Sequence, residues 1–391
     1  MKKIKISNQK NSRRDFIKTS TVASVGLALT PTLPLFSQNK NNTINMTNLK
    51  TKGYAAFDES GVLKPWTFTR RDIGEHDILI EIKYSSICHS DIHQEKGHWG
   101  KQQYPQVPGH EIVGIVKSIG KNVTKFKIGD RAGVGCMVDG CTTCENEEQY
   151  QPDTLFTYGY KDKREPSGIT QGGYSTQIVV RDHYAVHIPD NISFEQAAPL
   201  LCAGITTYSP IMKADFKKDD KVGVAGIGGL GHLAVKLAVS KGAEVYAFTT
   251  TKEKVDDIKA MGAKEVIVVD NVAKMQPYYG TLDYLICTIP YAYDLIAYTS
   301  LVKPFGFYTQ VGAPINFHLD LNMLGLAANR VNFNASLIGG MKETQEVVDY
   351  CAQNKIYPQI EIIKAEEITE AWKKVENKQA RYRYVIDAST F

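Results

Sequence analysis

Three short segments, far apart in the chain, carry side chains that bind zinc. They are residues 88–93 (CHSDIH), 108–111 (PGHE) and 199–204 (PLLCAG). Thiolates and imidazoles are the ligands that zinc prefers, and a catalytic zinc keeps three protein ligands and one open position. A single cysteine is more often a small buried apolar residue than a ligand. The three segments in this order, followed by a nucleotide-binding motif, predict one catalytic metal site.

The nucleotide-binding motif is the sequence GIGGLG at residues 226–231, which fits the pattern G-x-G-x-x-G. It follows the apolar run 221–225 and precedes the run 229–240, which is apolar at helical spacing, so its context is that of a phosphate-binding turn. Glycines allow the backbone to approach a pyrophosphate, and the helix N-terminus offers free N–H groups. We expect the following residues to bind the cofactor: Gly226, Gly228, Gly229, Leu230 and Gly231.

The end of the next predicted strand indicates which nicotinamide cofactor is used. Enzymes that use NAD usually carry an acidic residue there, about 20 residues after the loop, which bonds the ribose 2′-hydroxyl. This chain instead has Thr249, Thr250 and Thr251, followed by Lys252 and Lys254. Hydroxyls and ammonium groups suit a 2′-phosphate. The sequence therefore favours NADP(H).

The sequence patterns of the elements that must position these residues differ between two parts of the chain. From residue 51 to about 197, short β-type runs alternate with turns, which predicts a β-rich domain. From 198 to 336, apolar strands, among them 221–225 and 244–249, alternate with helical patterns, which predicts a doubly wound parallel sheet of the Rossmann type. Residues 337–391 contain both helical and strand patterns, with a helix expected at 344–353 and a closing strand at 382–386. The fold class is therefore α/β.

Charge excludes one class of function. The formal net charge is +4 over 391 residues, but residues 1–37 alone carry +6, so the rest of the chain is close to −2. A nucleic-acid binder would need a basic surface. We expect no nucleic-acid partner.

The basic N-terminus resembles a twin-arginine signal peptide at residues 1–37, followed by a polar linker at 38–50. Arg13 and Arg14 precede an apolar stretch from Thr19 to about Leu29. That stretch is shorter than the roughly 20 residues that span a bilayer, although an uncleaved leader acting as a membrane anchor is the alternative. The expected partner is the twin-arginine translocase, and the expected location is the periplasm.

The motifs together resemble one family. The segments GHE (109–111), KIGDRAGVGC (127–136), PLLCAGITTYSP (199–210), GIGGLGH (226–232) and SLIGG (336–340) are similar to those of zinc-dependent medium-chain alcohol dehydrogenases. The resemblance is closer to the cinnamyl alcohol dehydrogenase-like branch, which contains NADPH-dependent aldehyde reductases. It implies a GroES-like catalytic domain at 51–197 and 337–391, around a Rossmann domain at 198–336.

The resemblance also implies roles for single residues. Cys88, His110 and Cys202 would bind the catalytic zinc, and Glu111 would enter the coordination sphere during ligand exchange. Asp91 would orient His110 through its second ring nitrogen.

On the substrate side, the resemblance implies that Ser90 holds the substrate oxygen and transfers its proton. His93 would relay the proton toward solvent, and Trp99 would form a wall of the substrate pocket, although ordinary core packing is an alternative for Trp99.

The chain departs from the family at the structural zinc, which four cysteines usually bind. Only Cys141 and Cys144 are present, with Gln151 where the last cysteine would align. Two thiolates cannot complete a tetrahedral site, so one zinc per chain is expected. Cys136 lies nearby, and Cys141 and Cys144 are either free or a disulfide. The lobe that would carry this zinc, residues 141–151, is shortened. Because the lobe influences contacts between subunits in the family, its change weakens the expectation of the family's usual homodimer.

The expected function is reversible hydride transfer between NADP(H) and a primary alcohol/aldehyde pair. The alternatives are a zinc-free quinone reductase of the same superfamily and a non-catalytic nucleotide-binding protein. The three zinc-ligand candidates argue against the first alternative, and Ser90, Asp91 and His93 argue against the second.

Overall fold

The computed structural model describes residues 49–315, 320 and 323–391. The predicted twin-arginine leader and residues 38–48 of the predicted linker lie outside these described residues. Residues 49 and 50, the end of that linker, instead begin the first strand. Within the described ranges, each helix is too short or too polar to cross a bilayer.

The first part of the chain is β-rich, as predicted. Its strands are β1 (Leu49–Ala56), β2 (Leu63–Arg70), β3 (Asp77–Ser86), β4 (Ile112–Ile119), β5 (Arg131–Val134), β6 (Met137–Asp139), β7 (Leu155–Phe156), β8 (Gln177–Arg181) and β9 (Ala185–His187). β3 pairs antiparallel with both β4 and β8, and most of its residues are buried. Helix α1 (His89–Glu95) starts three residues after β3 ends. A central buried strand therefore leads directly into the first zinc-ligand segment.

The sequence predicts a strand at 174–180, but β8 begins only at residue 177. Residues 174–176 pair with β1 instead: Tyr54 N donates to Tyr174 O at 2.9 Å, and Gly53 is bridged to Ser175. Residue 174 is thereby held beside residues 108–109, because Tyr174 N donates to Pro108 O at 2.9 Å.

Two helices lead into the nucleotide-binding part. These are α2 (Phe194–Ala197) and α3 (Ala203–Lys213), joined by a 3-10 turn at Ala198–Leu201 that contains Pro199. Cys202 lies between the turn and α3 with φ −132° and ψ −65°, outside helical geometry. The break places this cysteine at the N-terminus of a buried helix.

The second part is a six-stranded parallel sheet, as predicted. Its strands are β10 (Lys221–Ala225), β11 (Glu244–Thr249), β12 (Glu265–Val268), β13 (Leu282–Cys287), β14 (Val302–Gln310) and β15 (Asn332–Ala335). Its helices are α4 (Gly231–Ser240), α5 (Val255–Ala260), α6 (Leu295–Thr299) and α7 (Met323–Asn329). The order β12-β11-β10-β13-β14-β15 reverses between β10 and β13, and ligands of such sheets bind beyond the carboxyl ends of the strands at this point.

The C-terminal segment, residues 337–391, adds strands to the sheet that contains β3. It contains α8 (Met341–Asn354), β16 (Ile360–Ile363), α9 (Ile368–Glu376) and β17 (Arg383–Asp387). α8 and β17 confirm the helix predicted at 344–353 and the closing strand predicted at 382–386. β17 pairs antiparallel with β3 through Val385 and Ser86. This pairing brings Arg383 next to the start of α1. The remaining 3-10 segments are Glu148–Tyr150, Asp182–Tyr184, Lys252–Lys254, Val272–Tyr278, Ala365–Glu367 and Ala388–Thr390.

Candidate functional site: a buried thiolate and imidazole centre beside a glycine loop

Four side chains that the sequence places in three segments meet in the structure. Cys88, His110, Glu111 and Cys202 are all buried, and one ligand atom of each lies within 4.8 Å of the others. Two cysteine sulphurs and one imidazole are the three protein ligands of a catalytic zinc that keeps one position open. The side chain of Cys202, which hydrogen-bonds to Cys88, lowers the pKa of the Cys88 thiol well below its ordinary value. The cluster therefore fits a zinc ion.

Local backbone geometry brings these ligand candidates together. Cys88 occupies the N-cap of α1 and Cys202 the N-cap of α3. His110 follows Gly109, which has φ +103°, a conformation that side-chain-bearing residues rarely adopt. A Cβ atom on Gly109 would lie 2.5 Å from Cδ1 of Tyr174. Only glycine fits at this position, so it helps to fix the path of the chain into His110.

The orientation of His110 depends on the Asp91 carboxylate, which lies behind it. Asp91 is fully buried and accepts five hydrogen bonds. The donors are Nδ1 of His110 at 2.8 Å, the Tyr158 hydroxyl at 2.8 Å, the Tyr174 hydroxyl at 2.9 Å, and the backbone N–H groups of Cys88 at 2.9 Å and Gly109 at 3.3 Å. Because Nδ1 of His110 donates to a carboxylate, Nε2 is left with the lone pair for a metal. The role of Asp91 was predicted, whereas the roles of the two tyrosines were not, because positions 158 and 174 lie in no recognisable motif.

Glu111, the fourth member of the cluster, is bonded by an arginine that the sequence did not predict for the site. Arg383 donates to Oε2 of Glu111, and the backbone N–H of Ala203 donates to Oε1 at 3.2 Å. Burial raises the pKa of Glu111 to about 7, although the charge of Arg383 opposes this shift. Both oxygens of Glu111 therefore already have donors, and a role in ligand exchange would require one of these bonds to open.

The cluster opens into a cavity of about 590 Å³, a size that suits a small-molecule site. Most of the predicted site residues line it: Cys88, Ser90, His93, Trp99, His110, Cys202, Gly226, Gly228, Gly229, Leu230, Thr249, Thr250, Thr251 and Lys254. Asp91, Glu111 and Gly231 lie outside this lining. Asp91 and Glu111 are fully buried, and each is hydrogen-bonded to a residue that does line the cavity, His110 and Arg383 respectively. The zinc-ligand candidates and the nucleotide loop thus face one continuous space.

The glycine loop has room for a ligand at one position. Gly226 has φ +82°, and a Cβ on Gly231 would lie 2.0 Å from O of Gly226, so both are needed for the turn itself. A Cβ on Gly228 would have no protein atom within 4 Å among the described residues. Gly228 thus faces open space in the cavity, as a glycine would whose purpose is close approach of the backbone to a pyrophosphate.

A buried histidine supports this loop from behind. Nδ1 of His232 donates to O of Gly228 at 3.1 Å, and Nε2 accepts from N of Gln359 at 3.3 Å. Its ring stacks on Tyr382 with centroids 5.0 Å apart. Burial lowers the pKa of His232 to about 3, so the ring is neutral, and each nitrogen has the partner that this tautomer requires. This histidine ends the segment GIGGLGH, but the segment by itself gives no sign of its role.

The predicted 2′-phosphate site lies at the end of β11. Thr249 is buried, Thr250 is exposed and Thr251 is half-buried, and all three line the cavity. Nζ of Lys254 donates to O of Ile227 at 3.2 Å and lies 5.0 Å from the ring centre of Tyr382. Burial, and then the charge of Arg381, lower the pKa of Lys254. The structure therefore places hydroxyl and ammonium groups together beside the loop.

The shortened lobe carries a disulfide. Cys141 is bonded to Cys144, while Cys136 is a free cysteine that lines the cavity. Of the two alternatives for Cys141 and Cys144, the structure has the disulfide. Glu148 anchors the lobe, because its carboxylate accepts from N of Met341 at 3.2 Å and lies 3.0 Å from Nε2 of His183. The absence of a structural zinc stays a prediction.

Comparisons with known proteins agree with this geometry. Residues 74–190 match the family "Alcohol dehydrogenase GroES-like domain", and residues 229–353 match "Zinc-binding dehydrogenase". The chain is 44% identical to a probable mannitol dehydrogenase of Medicago sativa over 87% of this chain and 96% of the relative. It is 43% identical to cinnamyl alcohol dehydrogenase 2 of Arabidopsis thaliana, over 87% of this chain and 92% of the relative.

A solved structure supports the same relationship. The crystal structure of CAD from Helicobacter pylori complexed with NADP(H) superimposes with a TM-score of 0.83 at 42% identity, covering 88% of this chain and 99% of that one. Identities above 40% over nearly the full length of these relatives are far beyond a shared fold alone. The chain belongs to the zinc-binding, GroES-like alcohol dehydrogenase family, in its cinnamyl and mannitol dehydrogenase-like branch.

Proposed function

We propose that this protein is a zinc-dependent alcohol dehydrogenase, or aldehyde reductase, that transfers hydride reversibly between NADP(H) and a primary alcohol/aldehyde pair. One observation carries the proposal: the Cys88, His110 and Cys202 cluster and the glycine loop with its open Gly228 line the same cavity. When bound, zinc supplies Lewis acidity toward a carbonyl oxygen, and the reduced nicotinamide supplies the hydride.

The residues of the chain bind, orient and move protons. Cys88, His110 and Cys202 hold the metal, and Asp91 keeps Nε2 of His110 directed at it. Ser90 lines the cavity two residues after Cys88, and its hydroxyl would give a proton to the substrate oxygen during reduction and take it back during oxidation. The largely apolar walls, among them Trp99, Tyr158 and Leu337, exclude water from the reacting groups.

Cofactor choice follows from the end of β11. Thr249, Thr250, Thr251 and Lys254 line the cavity at the end of β11, where the ribose of a dinucleotide binds in this type of sheet. The nearest following acid, Glu253, is exposed and is not among the described residues that line the cavity. A 2′-phosphate gains charge-assisted hydrogen bonds from such groups. Catalytic efficiencies with NADPH and NADH on the same aldehyde test the proposal. We expect a clear preference for NADPH, and equal efficiencies would overturn it.

Metal dependence is the second test of the function. Removal of zinc by a chelator should abolish aldehyde reduction, and added zinc should restore it. The Cys202→Ala variant should lose both bound metal and activity, whereas wild-type turnover by this variant would disprove the site.

We further propose export through the twin-arginine translocase to the periplasm, on the basis of Arg13, Arg14 and the apolar stretch from Thr19 to Leu29. Fractionation of cells that express the full chain, or a variant with both arginines changed to lysine, tests this. We expect periplasmic activity that is lost in the double variant. Activity in the washed membrane fraction would instead support an anchoring leader.

A homodimer is proposed for the edge of the parallel sheet. β15 is one of the two edge strands of this sheet, and nearby apolar side chains are exposed: Phe305, Phe307, Met323, Leu324 and Leu337. An exposed edge strand with apolar neighbours is a pairing surface. Light scattering should give twice the chain mass, and Phe307→Asp should shift it to the monomer mass. A monomeric wild-type protein would refute the proposal.

A further inference from the structure

The shortened lobe, residues 141–151, supplies hydrogen bonds to the start of α8. Gly340 is the N-cap of this helix and, being glycine, has no side chain that could accept from the first N–H groups. Oε2 of Glu148 accepts instead from N of Met341 at 3.2 Å, and Oδ1 of Asn146 accepts from N of Glu343 at 3.2 Å. Because the first N–H groups of a helix have no partners within it, these two lobe side chains act as its caps.

The lobe and the start of the helix fit closely. A Cβ atom on Gly340 would lie 2.4 Å from Cα of Asn146, so only glycine allows the two backbones to pass at this distance. Asn146 has φ +60°, a conformation that asparagine adopts more readily than most residues. The Glu148 carboxylate also lies at the positive end of the helix dipole. A displacement of the lobe would therefore remove both caps of α8.

The first turn of α8 is connected to a wall of the reaction cavity. Ser336, Leu337 and Ile338 line the cavity, and two glycines join them to the helix. Within the first turn, the carboxylate of Glu343 accepts from the Ser209 hydroxyl at 2.8 Å, which ties the turn to α3. The position of residues 336–338 thus depends on how α8 begins.

The disulfide fixes the lobe segment that carries the caps. Cys141 is tied to the β-rich domain, because its backbone O accepts from the Tyr184 hydroxyl at 2.7 Å. The bond to Cys144 extends this attachment to a residue that lies two positions before Asn146. Both cysteines are half-buried, and the two threonines between them are exposed. A small thiol in solution can therefore reach the bond.

We propose that the Cys141–Cys144 disulfide is a redox-sensitive modification site that controls the cavity wall, residues 336–338, through α8. In the disulfide form, the lobe holds Asn146 and Glu148 against the helix. After reduction the lobe loosens, the caps open more often, and binding of substrate against the wall weakens. The effect on substrate rests on the proposed dehydrogenase function, whereas the effect on α8 does not.

The reductant is a dithiol, and its reaction has two steps. A thiolate of the dithiol attacks one sulphur of the protein disulfide, which breaks the S–S bond and forms a mixed disulfide. The second thiol of the dithiol attacks this mixed disulfide and releases the protein. The two electrons and two protons end on Cys141 and Cys144 as free thiols, and the dithiol becomes a disulfide.

The other cysteines do not compete as targets of a reductant. All seven cysteines of the chain lie among the described residues, and the five outside this pair are free. Cys88 and Cys202 are zinc-ligand candidates, and Cys136 lines the cavity as a free thiol. Reduction therefore acts at the lobe, provided that the zinc content is shown to stay constant.

The first measurement is hydrogen exchange on the zinc-loaded full chain, followed by mass spectrometry before and after reduction with a water-soluble phosphine, which yields the same two thiols. Peptides that contain residues 336–344 should exchange about fivefold to tenfold faster after reduction, the change expected for loss of one helix cap. Peptides that contain residues 221–225 of β10 should not change. Elemental analysis of the same sample should give unchanged zinc.

Variants test the path from the disulfide to the helix. The double variant Cys141→Ser, Cys144→Ser should exchange like reduced wild type and should not respond to the phosphine. Asn146→Gly keeps the left-handed backbone but removes a cap, so residues 336–344 should already exchange fast in its disulfide form. Because the cap is then absent, reduction should add less than about twofold. Thr142→Gly, an exposed residue between the two cysteines, is the matched control and should behave like wild type.

Steady-state kinetics connect the disulfide to the cavity. Reduction should raise KM for an aldehyde about fivefold and change kcat less, because binding against the wall is weakened while the reacting groups stay in place. Unchanged exchange at residues 336–344 after complete reduction would overturn the proposal, as would an unchanged KM or a response of the double serine variant. If exchange responds but no form of the protein reduces an aldehyde with NADPH, the proposed dehydrogenase function fails and the coupling of the disulfide to α8 stands.

Discussion

The Tyr174 hydroxyl should control how tightly the protein holds zinc, although Tyr174 is not a ligand. Tyr174→Phe removes a donor that lies 2.9 Å from Oδ2 of Asp91 and leaves the buried ring in place. Asp91 in turn orients His110 through Nδ1. The variant therefore weakens the support of a ligand without changing the ligand set.

The magnitude follows from the hydrogen bonds of Asp91. A hydrogen bond to a charged group contributes about 1.5–3 kcal/mol. Asp91 keeps four other donors, among them Tyr158 and the backbone N–H of Cys88, so the loss should fall near the lower end of that range. Since about 1.4 kcal/mol corresponds to a factor of ten, zinc affinity should fall about tenfold, in line with other groups that orient metal ligands.

The assay is zinc transfer to a chromophoric chelator, with thermal unfolding of the zinc-free proteins as a parallel measurement. Tyr184→Phe is the matched control, because its hydroxyl is also buried and donates to a backbone carbonyl, O of Cys141, at 2.7 Å. Both variants should lose some stability, and only Tyr174→Phe should release zinc faster. Equal zinc release by the two variants would refute the argument that Asp91 transmits the effect.

Three further outcomes are expected. Gly228→Ala should fold with wild-type stability, because its methyl group would meet no described protein atom within 4 Å. Its NADPH affinity, measured by fluorescence titration, should fall about 10- to 100-fold, since the loop backbone must approach the pyrophosphate. Unchanged affinity would place the cofactor elsewhere. The folded-state pKa of His232, about 3, lies below its unfolded value, so its contribution to stability is complete above about pH 6.5 and is lost as the pH falls toward 3, with a slope of about 1.4 kcal/mol per pH unit. Urea unfolding between pH 6.5 and 5 should show a shallower pH dependence for His232→Phe than for wild type, and equal slopes would contradict a neutral His232. Elemental analysis of purified protein should give about one zinc per chain. A structural zinc needs four ligands, and Cys141 and Cys144 are joined in a disulfide. Two zinc ions per chain would contradict the expected loss of the structural zinc.

Local patterns predicted the parts of the fold whose residues are neighbours in sequence. The strands 221–225 and 244–249 were predicted with their observed ends, because apolar runs bounded by polar turns need no distant information. The tail helix and the closing strand were predicted to within a few residues of Met341–Asn354 and Arg383–Asp387. The zinc-ligand candidates could also be found, since each lies in a short segment with its own signature.

The supports of the site could not be found in this way. Tyr158, Tyr174 and Arg383 reach Asp91 and Glu111 from positions 67, 83 and 272 residues away. Such contacts exist only because β17 pairs with β3 and because residues 174–176 pair with β1. A lone tyrosine or arginine in a sequence is most often an ordinary surface or core residue, so its type carries no signal for this role.

Ligand identity and cofactor class are thus local properties of this chain, encoded in CHSDIH, GHE, LLCAG and GIGGLG, because the chemistry needs particular atoms at short spacing. The orientation and protonation of those atoms are not local. Five donors hold Asp91, and Arg383 pairs with Glu111. The ring of His93 contacts that of His98 because the chain turns at Gly97. These arrangements required the packed fold, because a buried charge or a neutral buried imidazole is stable only where the rest of the chain supplies its hydrogen-bond partners.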